Sequence, residues 1–430
     1  MKHYRLPILV MAACSLLATS CSDDDPKSPA AQDVSVTVEK PADAEAYTVL
    51  SEQILFHNIS TGTDETFTTL NDISLIPGLY DVTYTAEVEM ASNAAKAQIR
   101  ANASSVQVES GKPLDIRLTS YLNIPSDDLI IAEIFFTGTQ QPSGNQYMND
   151  QYIKLYNNTD HIVYADGITL FGSSFMTVSK YDYTPDIMGQ AVTVEALYTV
   201  PGNGTEHPVQ PGEYFIIANN AMNHTLNNPY SFDLSHADVE WYDESTNPNF
   251  TDTDNPAVSN MDRWYSNTLT VWSLHNRGFK AYGIARIPLG KEEYLGQYRY
   301  DYTYDMVLPS GTFPMSGNGF KVLNEWILDC VNLSIEAMYK WNVTSPAIDC
   351  GWTHCGSVDK DMTRYFKSVR RKLLYVTGDG RAVLKDTNNS TADFNGDAVP
   401  SEAELQGTPM NVDGQRATTV TYDGVTPVKK

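Results

Sequence analysis

Leu129-Ile130-Ile131-Ala132-Glu133-Ile134-Phe135-Phe136 is apolar at every position but one. A short Ile- and Phe-rich run of this kind reads as a strand held in a buried position. The chain keeps this strand-and-turn character downstream. Gln140 to Asp150 is a polar, Gly-containing loop, Gln151 to Tyr156 alternates, and Asn157-Asn158-Thr159-Asp160 is a turn. Ile162 to Leu170 alternates again, and Pro211-Gly212 turns into a strand over Glu213 to Ala218. Period-two alternation punctuated by turn residues predicts strands.

Upstream, Asn123-Ile124-Pro125-Ser126 reads as a linker. Before it, Val34, Val36 and Val38 share one face, and Ile54 to Phe56, Ile73 to Ile76, Val82 to Val88, Ile99, Val106 to Val108 and Leu114 to Leu118 recur at short intervals. About 85 residues with roughly seven such strands fit one small β-sandwich. Its Pro77-Gly78-Leu79-Tyr80-Asp81-Val82 resembles a strand of transthyretin-like modules.

Ile131 to Ile134, Ile153 to Asn158, Tyr164 to Leu170 and Pro211 to Ile217 follow the strand pattern of the lamin-tail fold, an immunoglobulin-like β-sandwich that this region resembles. Ser368 to Lys372 and Asp386 to Phe394 resemble that fold's closing strand and Asp-rich tail. The resemblance implies an insertion over residues 219–365, which is where family-specific function would sit. Within it Lys321 to Leu333 reads as strand or helix, and Ile335 to Trp341 as weakly helical. The whole layout, with Leu234 to Ser245 and Leu384 to Phe394, resembles an uncharacterised Bacteroidetes surface-lipoprotein family known as a domain of unknown function. That resemblance implies association with TonB-dependent transporters. The expected fold class is all-β with minor helix: a small β-sandwich (transthyretin- or Ig-like) over 33–122, then a larger lamin-tail-like β-sandwich over 127–415 carrying the insertion, with 416–430 as a tail.

The first residues predict location. Lys2 and Arg5 precede an apolar run from Leu6 to Leu17, and Ala18-Thr19-Ser20 lead to Cys21. That is a signal-peptide layout over 1–20, and the run is too short for the roughly 20 residues a membrane span needs. Small residues before Cys21 resemble a bacterial lipobox. Ser22-Asp23-Asp24-Asp25 resembles the export signal of surface lipoproteins, and 21–32 reads as a lipidated tether. The expected setting is the outer-membrane surface, with the lipid as anchor.

With 430 residues, 42% of them hydrophobic, the chain is large enough for two or three domains. A net charge of −24, more negative still once Lys2 and Arg5 leave, repels phosphate backbones and argues against nucleic acid. It suits cations and cationic ligands. Cys330, Cys350 and Cys355 remain after the leader and Cys21, so at most one internal disulfide forms among them. Cys330 paired with Cys350 or Cys355 is the first expectation; the C-x₄-C spacing suits zinc poorly.

Asp243, Glu244, Asp252 and Asp254 offer oxygens for a Ca²⁺ loop without EF-hand spacing, as do Asp386, Asn388, Asn389, Asp393 and Asn395. Otherwise no cofactor is expected. Trp241, Tyr242, Trp264, Tyr265, Trp272 and His275 are candidate ligand contacts, because aromatic residues with a polar tip stack on sugars and anchor interfaces. Tyr298, Tyr300, Tyr302 and Tyr304 stand at period two and share one face of a strand, as a packed ladder or an open platform. No G-x-S-x-G, HExxH or P-loop occurs, and His207, His224, His236 and His275 stand apart as isolated histidines. The leading expectation is a non-catalytic binding lipoprotein accessory to TonB-dependent uptake of a nutrient or metal complex. The alternatives are a glycan-binding or glycan-degrading surface protein using the Trp241 to Trp272 region, and a structural or adhesive one.

Overall fold

The structure is a computed structural model and describes residues 30–41, 46–90, 96–123, 127–376, 380–408 and 411–415. The leader, Cys21, Ser22 to Asp25 and the tail 416–430 lie outside the described residues. Contacts divide the chain into two compact units, the first centred on residues 52–85 and 101–119 and the second on Ser120 onward.

The first unit is built on β1 (Gln32–Glu39), β2 (Tyr47–Asn58), β3 (Thr63–Phe67), β4 (Ile73–Leu75), β5 (Gly78–Met90), β6 (Lys96–Val108) and β7 (Leu114–Asn123). They join in one seven-stranded path, β3-β2-β5-β6-β7-β1-β4. Alternation does what the sequence predicts: Val34, Val36, Ile54, Phe56, Tyr80, Val82, Tyr84, Ile116 and Leu118 are buried, because successive strand side chains point to opposite faces. Phe56 meets Phe67 and Tyr80 edge to face at 5.9 and 6.2 Å.

The second unit carries β8 (Ile130–Phe135), β9 (Tyr152–Tyr156), β10 (Ile168–Ser173), β11 (Ala191–Thr199), β12 (Tyr214–Ala218), β13 (Ala281–Arg286), β14 (Arg299–Leu308), β15 (Gly311–Leu323), β16 (Ile327–Ser334), β17 (Ser368–Arg371) and β18 (Phe394–Ala398). Short helices α1 (Lys291–Gln297), α2 (Ser390–Asp393) and α3 (Ser401–Gln406) complete it. One sheet runs β12-β9-β8-β17-β18, extended beyond β12 by Val239–Glu240 and Ser259–Asn260. The other runs β14-β15-β11-β10-β13-β16 and ends on Thr353–His354, with Asp262–Ser266 paired to β11.

The main core lies between these sheets. Ile131, Ile134, Ile153, Leu155, Phe215 and Ile217 from one meet Ile168, Leu170, Tyr198, Tyr282, Ile284 and Val331 from the other. Both outer faces are covered as well. Phe232, Leu234 and Ala403 lie over Phe135, Tyr152 and Ile216, while Tyr294, Trp341 and Val343 lie over Phe171, Val192 and Leu197. Burial on two faces is why β8 lacks polar alternation: all six of its residues are buried. The fold is all-β with minor helix.

The segment expected as an insertion is no appendage. Residues 219–365 supply β13 and β16, which complete the second sheet beside β10, and the hairpin β14–β15. Lys321 to Leu333 resolves into strand, a 3-10 turn over Asn324–Trp326, and strand again. Ile335 to Trp341 holds one 3-10 turn, Glu336–Met338.

Candidate functional site

Hairpin β14–β15 pairs along its full length, from Arg299 with Phe320 to Leu308 with Gly311. Only Phe320 to Leu323 of β15 pair with β11, so the distal part runs beyond the sheet. Of the tyrosines at period two, Tyr300, Tyr302 and Tyr304 stand on one face of β14 and form a ladder, whereas Tyr298 falls before the strand, at the end of α1, and packs on Tyr294 and Trp326 at 5.4 and 4.8 Å. Tyr300 stacks on Tyr302 at 5.2 Å and Tyr302 on Tyr304 at 6.2 Å. Across them lie residues that the sequence reading did not connect to the ladder. Phe175 and Tyr183 stack at 3.7 Å with 7° between planes. Tyr302 meets both edge-on at 5.1 and 5.5 Å, Tyr181 tilts against Tyr304 at 4.7 Å, and Trp341 stacks on Tyr183 at 6.3 Å. Offset and edge-to-face contacts are the arrangements ring quadrupoles favour.

Tyr300 and Trp341 are buried, while Phe175, Tyr181, Tyr183, Tyr302 and Tyr304 are half-buried. Burial, then the neighbouring hydroxyls of Tyr302 and Tyr304, pushes the Tyr183 hydroxyl well above its ordinary range, so it stays a neutral donor. The Lys180 ammonium stands 5.9 Å over Trp341. Beyond the rings the tip is apolar and open: Val307, Leu308 and Phe313 are 73%, 45% and 44% exposed. Thr303 exchanges two backbone bonds with Thr184, at 2.9 and 3.0 Å. In an antiparallel pair alternate residues turn both backbone groups to the same side, so Asp305 and Val307 turn theirs outward too.

The other predicted contacts fall elsewhere. Trp241 and Trp272 are buried in the main core, edge-on to each other at 5.7 Å, with Trp272 stacked on Tyr198 at 5.4 Å. They are core, because two sheets closing on each other need large side chains there. Trp264 packs on Tyr294 and Tyr265 on Phe320, at 5.8 and 4.6 Å, both half-buried. Tyr242 is half-buried. His275 stacks on Phe279 at 4.8 Å. Burial, then Lys280, Arg277 and Arg364, pushes its pKa down to about 4, so it is neutral near pH 7. His224 is buried; its Nε2 lies 2.9 Å from the Asn220 carbonyl and its Nδ1 2.9 Å from the Tyr147 hydroxyl, and burial lowers it to about 4.

Of the expected calcium carboxylates in the first loop, Asp243, Asp252 and Asp254 are engaged by donors. Asp243 is buried and accepts from the Tyr198 hydroxyl, from Arg263 at 2.9 Å and from the Trp272 N–H at 2.7 Å. Asp252 accepts from Asn220 and from the Asp243 N–H, and Asp254 from Asn260 at 2.8 Å. Glu244 is exposed. In the second loop Asp386 and Asp393 lie against Arg371. Among the described residues no three His, Cys, Asp or Glu side chains gather to hold a metal. The expected pairing of Cys330 with Cys350 or Cys355 is not formed: Cys330 and Cys355 are unbridged thiols. The reason is placement, since Cys330 packs in the outer cluster of the second sheet and Cys355 in the core between sheets.

One arrangement escaped the sequence reading. Lys154 of β9, Glu133 of β8 and Arg370 of β17 stand in register across three adjacent strands, and all are buried. Helix α3 meets them with carboxylates: Lys154 pairs with Glu402 at 2.5 Å and Arg370 with Glu404 at 2.8 Å. Glu133 accepts from the Tyr152 and Ser368 hydroxyls at 2.9 and 2.6 Å, and from Ser401. Burial alone would raise Glu402, but Lys154 and His236 outweigh it and hold its pKa at about 2. These charges clamp α3 to the sheet.

An all-β protein with a double-covered sandwich and a protruding aromatic hairpin is thus the class that the geometry defines. Residues 210–401 match the family described as a protein of unknown function, DUF4876. The chain is also similar to a solved crystal structure, a DUF4876 family protein from Bacteroides thetaiotaomicron VPI-5482 at 2.50 Å resolution, with a TM-score of 0.52 and 24% identity over 86% of this chain and 96% of that one. That likeness is one of fold. No curated protein matches.

Proposed function

We propose that this chain is an outer-membrane, surface-exposed lipoprotein of non-catalytic binding type, accessory to TonB-dependent uptake, and that hairpin β14–β15 is its contact with the partner. The observation that carries the reading is the hairpin itself: a ring-stiffened ribbon running past its sheet, ending in Val307, Leu308 and Phe313, all exposed. An exposed apolar tip with a charge beside it, here Asp305, suits a protein interface better than a soluble monomer's open surface. The body's carboxylates and cations support it as well, being engaged in structural bonds such as Arg371 with Asp329 and Lys280 with Glu195.

Pull-down from solubilised outer membranes tests the proposal. Wild type captures a β-barrel transporter, and the double variant Val307→Ser, Phe313→Ser loses it. An unchanged capture by the variant sinks the hairpin assignment. Labelling with a palmitate analogue, absent in Cys21→Ala, and protease shaving of whole cells test the anchor and the exposure. Hydrolysis of glycans or peptides that vanishes on replacing a single acid or histidine contradicts the non-catalytic reading.

A further inference from the structure

Away from the hairpin, the second unit holds a cavity of about 390 Å³, within the roughly 300–1,000 Å³ of small-molecule sites. Tyr365, Phe366 and Met362 line its apolar side, and Lys367, Asp397 and Asp413 its polar side. The backbone here is unusual. Phe366 has φ +61° and Asp397 φ +52°, the left-handed region that a bulky side chain rarely enters. Asp397 belongs to a bulge: Ser368 pairs with Ala398 and Arg370 with Asn395, so Gly396 and Asp397 of β18 stand against Val369 alone. A bulge bends its strand and re-aims a side chain. Phe366, held by its N–H to the Gly138 carbonyl at 3.0 Å, bends the chain just before the same end of β17. A strained Phe366 and a bulge at Asp397 that open onto one cavity are the pattern of a built site.

The two bends bring the Lys367 ammonium within 3.4 Å of the Asp397 carboxylate, each about one-third exposed at 33% and 34%. The same Asp397 oxygen accepts the Gly356 N–H at 2.8 Å. The Tyr365 ring is fixed by the Arg364 guanidinium, 4.4 Å over its face and donating to its hydroxyl at 3.0 Å.

We infer that this cavity binds a neutral saccharide of one or two rings. An anion meets Asp397, Asp413 and the chain's net charge of −24, which turn it away, and a cation meets the Lys367 ammonium, so a charged ligand of either sign is opposed by one member of the Lys367–Asp397 pair. Sugar hydroxyls donate and accept at once. They can bond the ammonium and both carboxylates while leaving the pair intact, with the sugar's C–H face against Tyr365 and Met362. The inference does not depend on the hairpin.

Isothermal titration of the full-length protein with glucose, galactose, mannose, N-acetylglucosamine, maltose, cellobiose and lactose tests it, with glycylglycine and inorganic phosphate as charged comparators. At least one sugar binds. Asp397→Asn, which keeps a residue tolerant of the left-handed region, and Asp413→Ala, outside both sheets, each weaken that binding about tenfold. Val307→Ser leaves it unchanged, which separates this site from the hairpin reading. Circular dichroism confirms that each variant is folded. The inference is overturned if no sugar binds, if neither cavity variant weakens binding, or if only a charged comparator binds.

Discussion

The two outer faces of the sandwich are covered by opposite chemistries. Over β9, β8 and β17 lies helix α3, whose Glu402 and Glu404 meet buried Lys154 and Arg370. Over β14 lie stacked rings, Phe175 and Tyr183 at 3.7 Å foremost. The first cover is closed, each charge answered by a partner inside the protein. The second is left ajar, its rings half-buried and its tip open. A cover that consumes its own polar capacity serves the fold, whereas one that leaves surface unspent has surface to offer a partner.

Breaking the closed cover has the largest expected effect. Lys154→Met leaves Glu402, whose side chain is 1% exposed, without its closest cation. Stability should fall by about 3–5 kcal/mol, measured by urea denaturation. If Lys154→Met with Glu402→Gln restores little of that loss, the charge explanation fails and packing must carry it. The open cover yields less: Tyr183→Ala removes a half-buried ring and should cost about 1–2 kcal/mol, without changing the urea midpoint shift caused by Lys154→Met, since the two faces do not touch the same side chains.

The smallest effect is one of pH. His236 lies 3.3 Å from Glu402 at 50% exposure, and its hydrogen bond to that carboxylate raises its pKa. A histidine raised on folding contributes stability that is full below its ordinary pKa near 6.5 and is lost as pH rises through the folded value. Glu402 works the other way, its contribution present above its ordinary value and lost as pH falls toward about 2. Thermal melts of wild type and His236→Ala should therefore differ most near pH 5 to 6 and converge above pH 8; equal separation at every pH rules out the titration.

Much of the fold is legible in the sequence, for reasons that particular residues make plain. Leu129 to Phe136 announce a doubly buried strand because both of its faces are packed. Tyr300, Tyr302 and Tyr304 announce a shared face, because strand periodicity is local, while Tyr298, at the same spacing, ends α1 instead. Partners are not legible. That β10 pairs with β13, more than a hundred residues on, is a matter of topology, so the strands of 219–365 read as an insertion. Trp241 and Trp272 look the same in sequence whether enclosed or open, and only sheet closure settles it. The carboxylates of Ser401 to Gln406 resemble a solvated helix until Lys154 and Arg370 turn inward beneath them. The cavity depends on a left-handed angle at Phe366, whose type does not advertise it, and on a bulge at Asp397 that only strand pairing reveals.

Burial drives the thiols of Cys330 and Cys355 far above their ordinary range, and neither is bridged. Protonated and walled off, they make poor nucleophiles and poor targets for exchange. The sandwich thus owes its cohesion to no oxidant, and its integrity should be the same in an oxygen-free, reducing medium as in air.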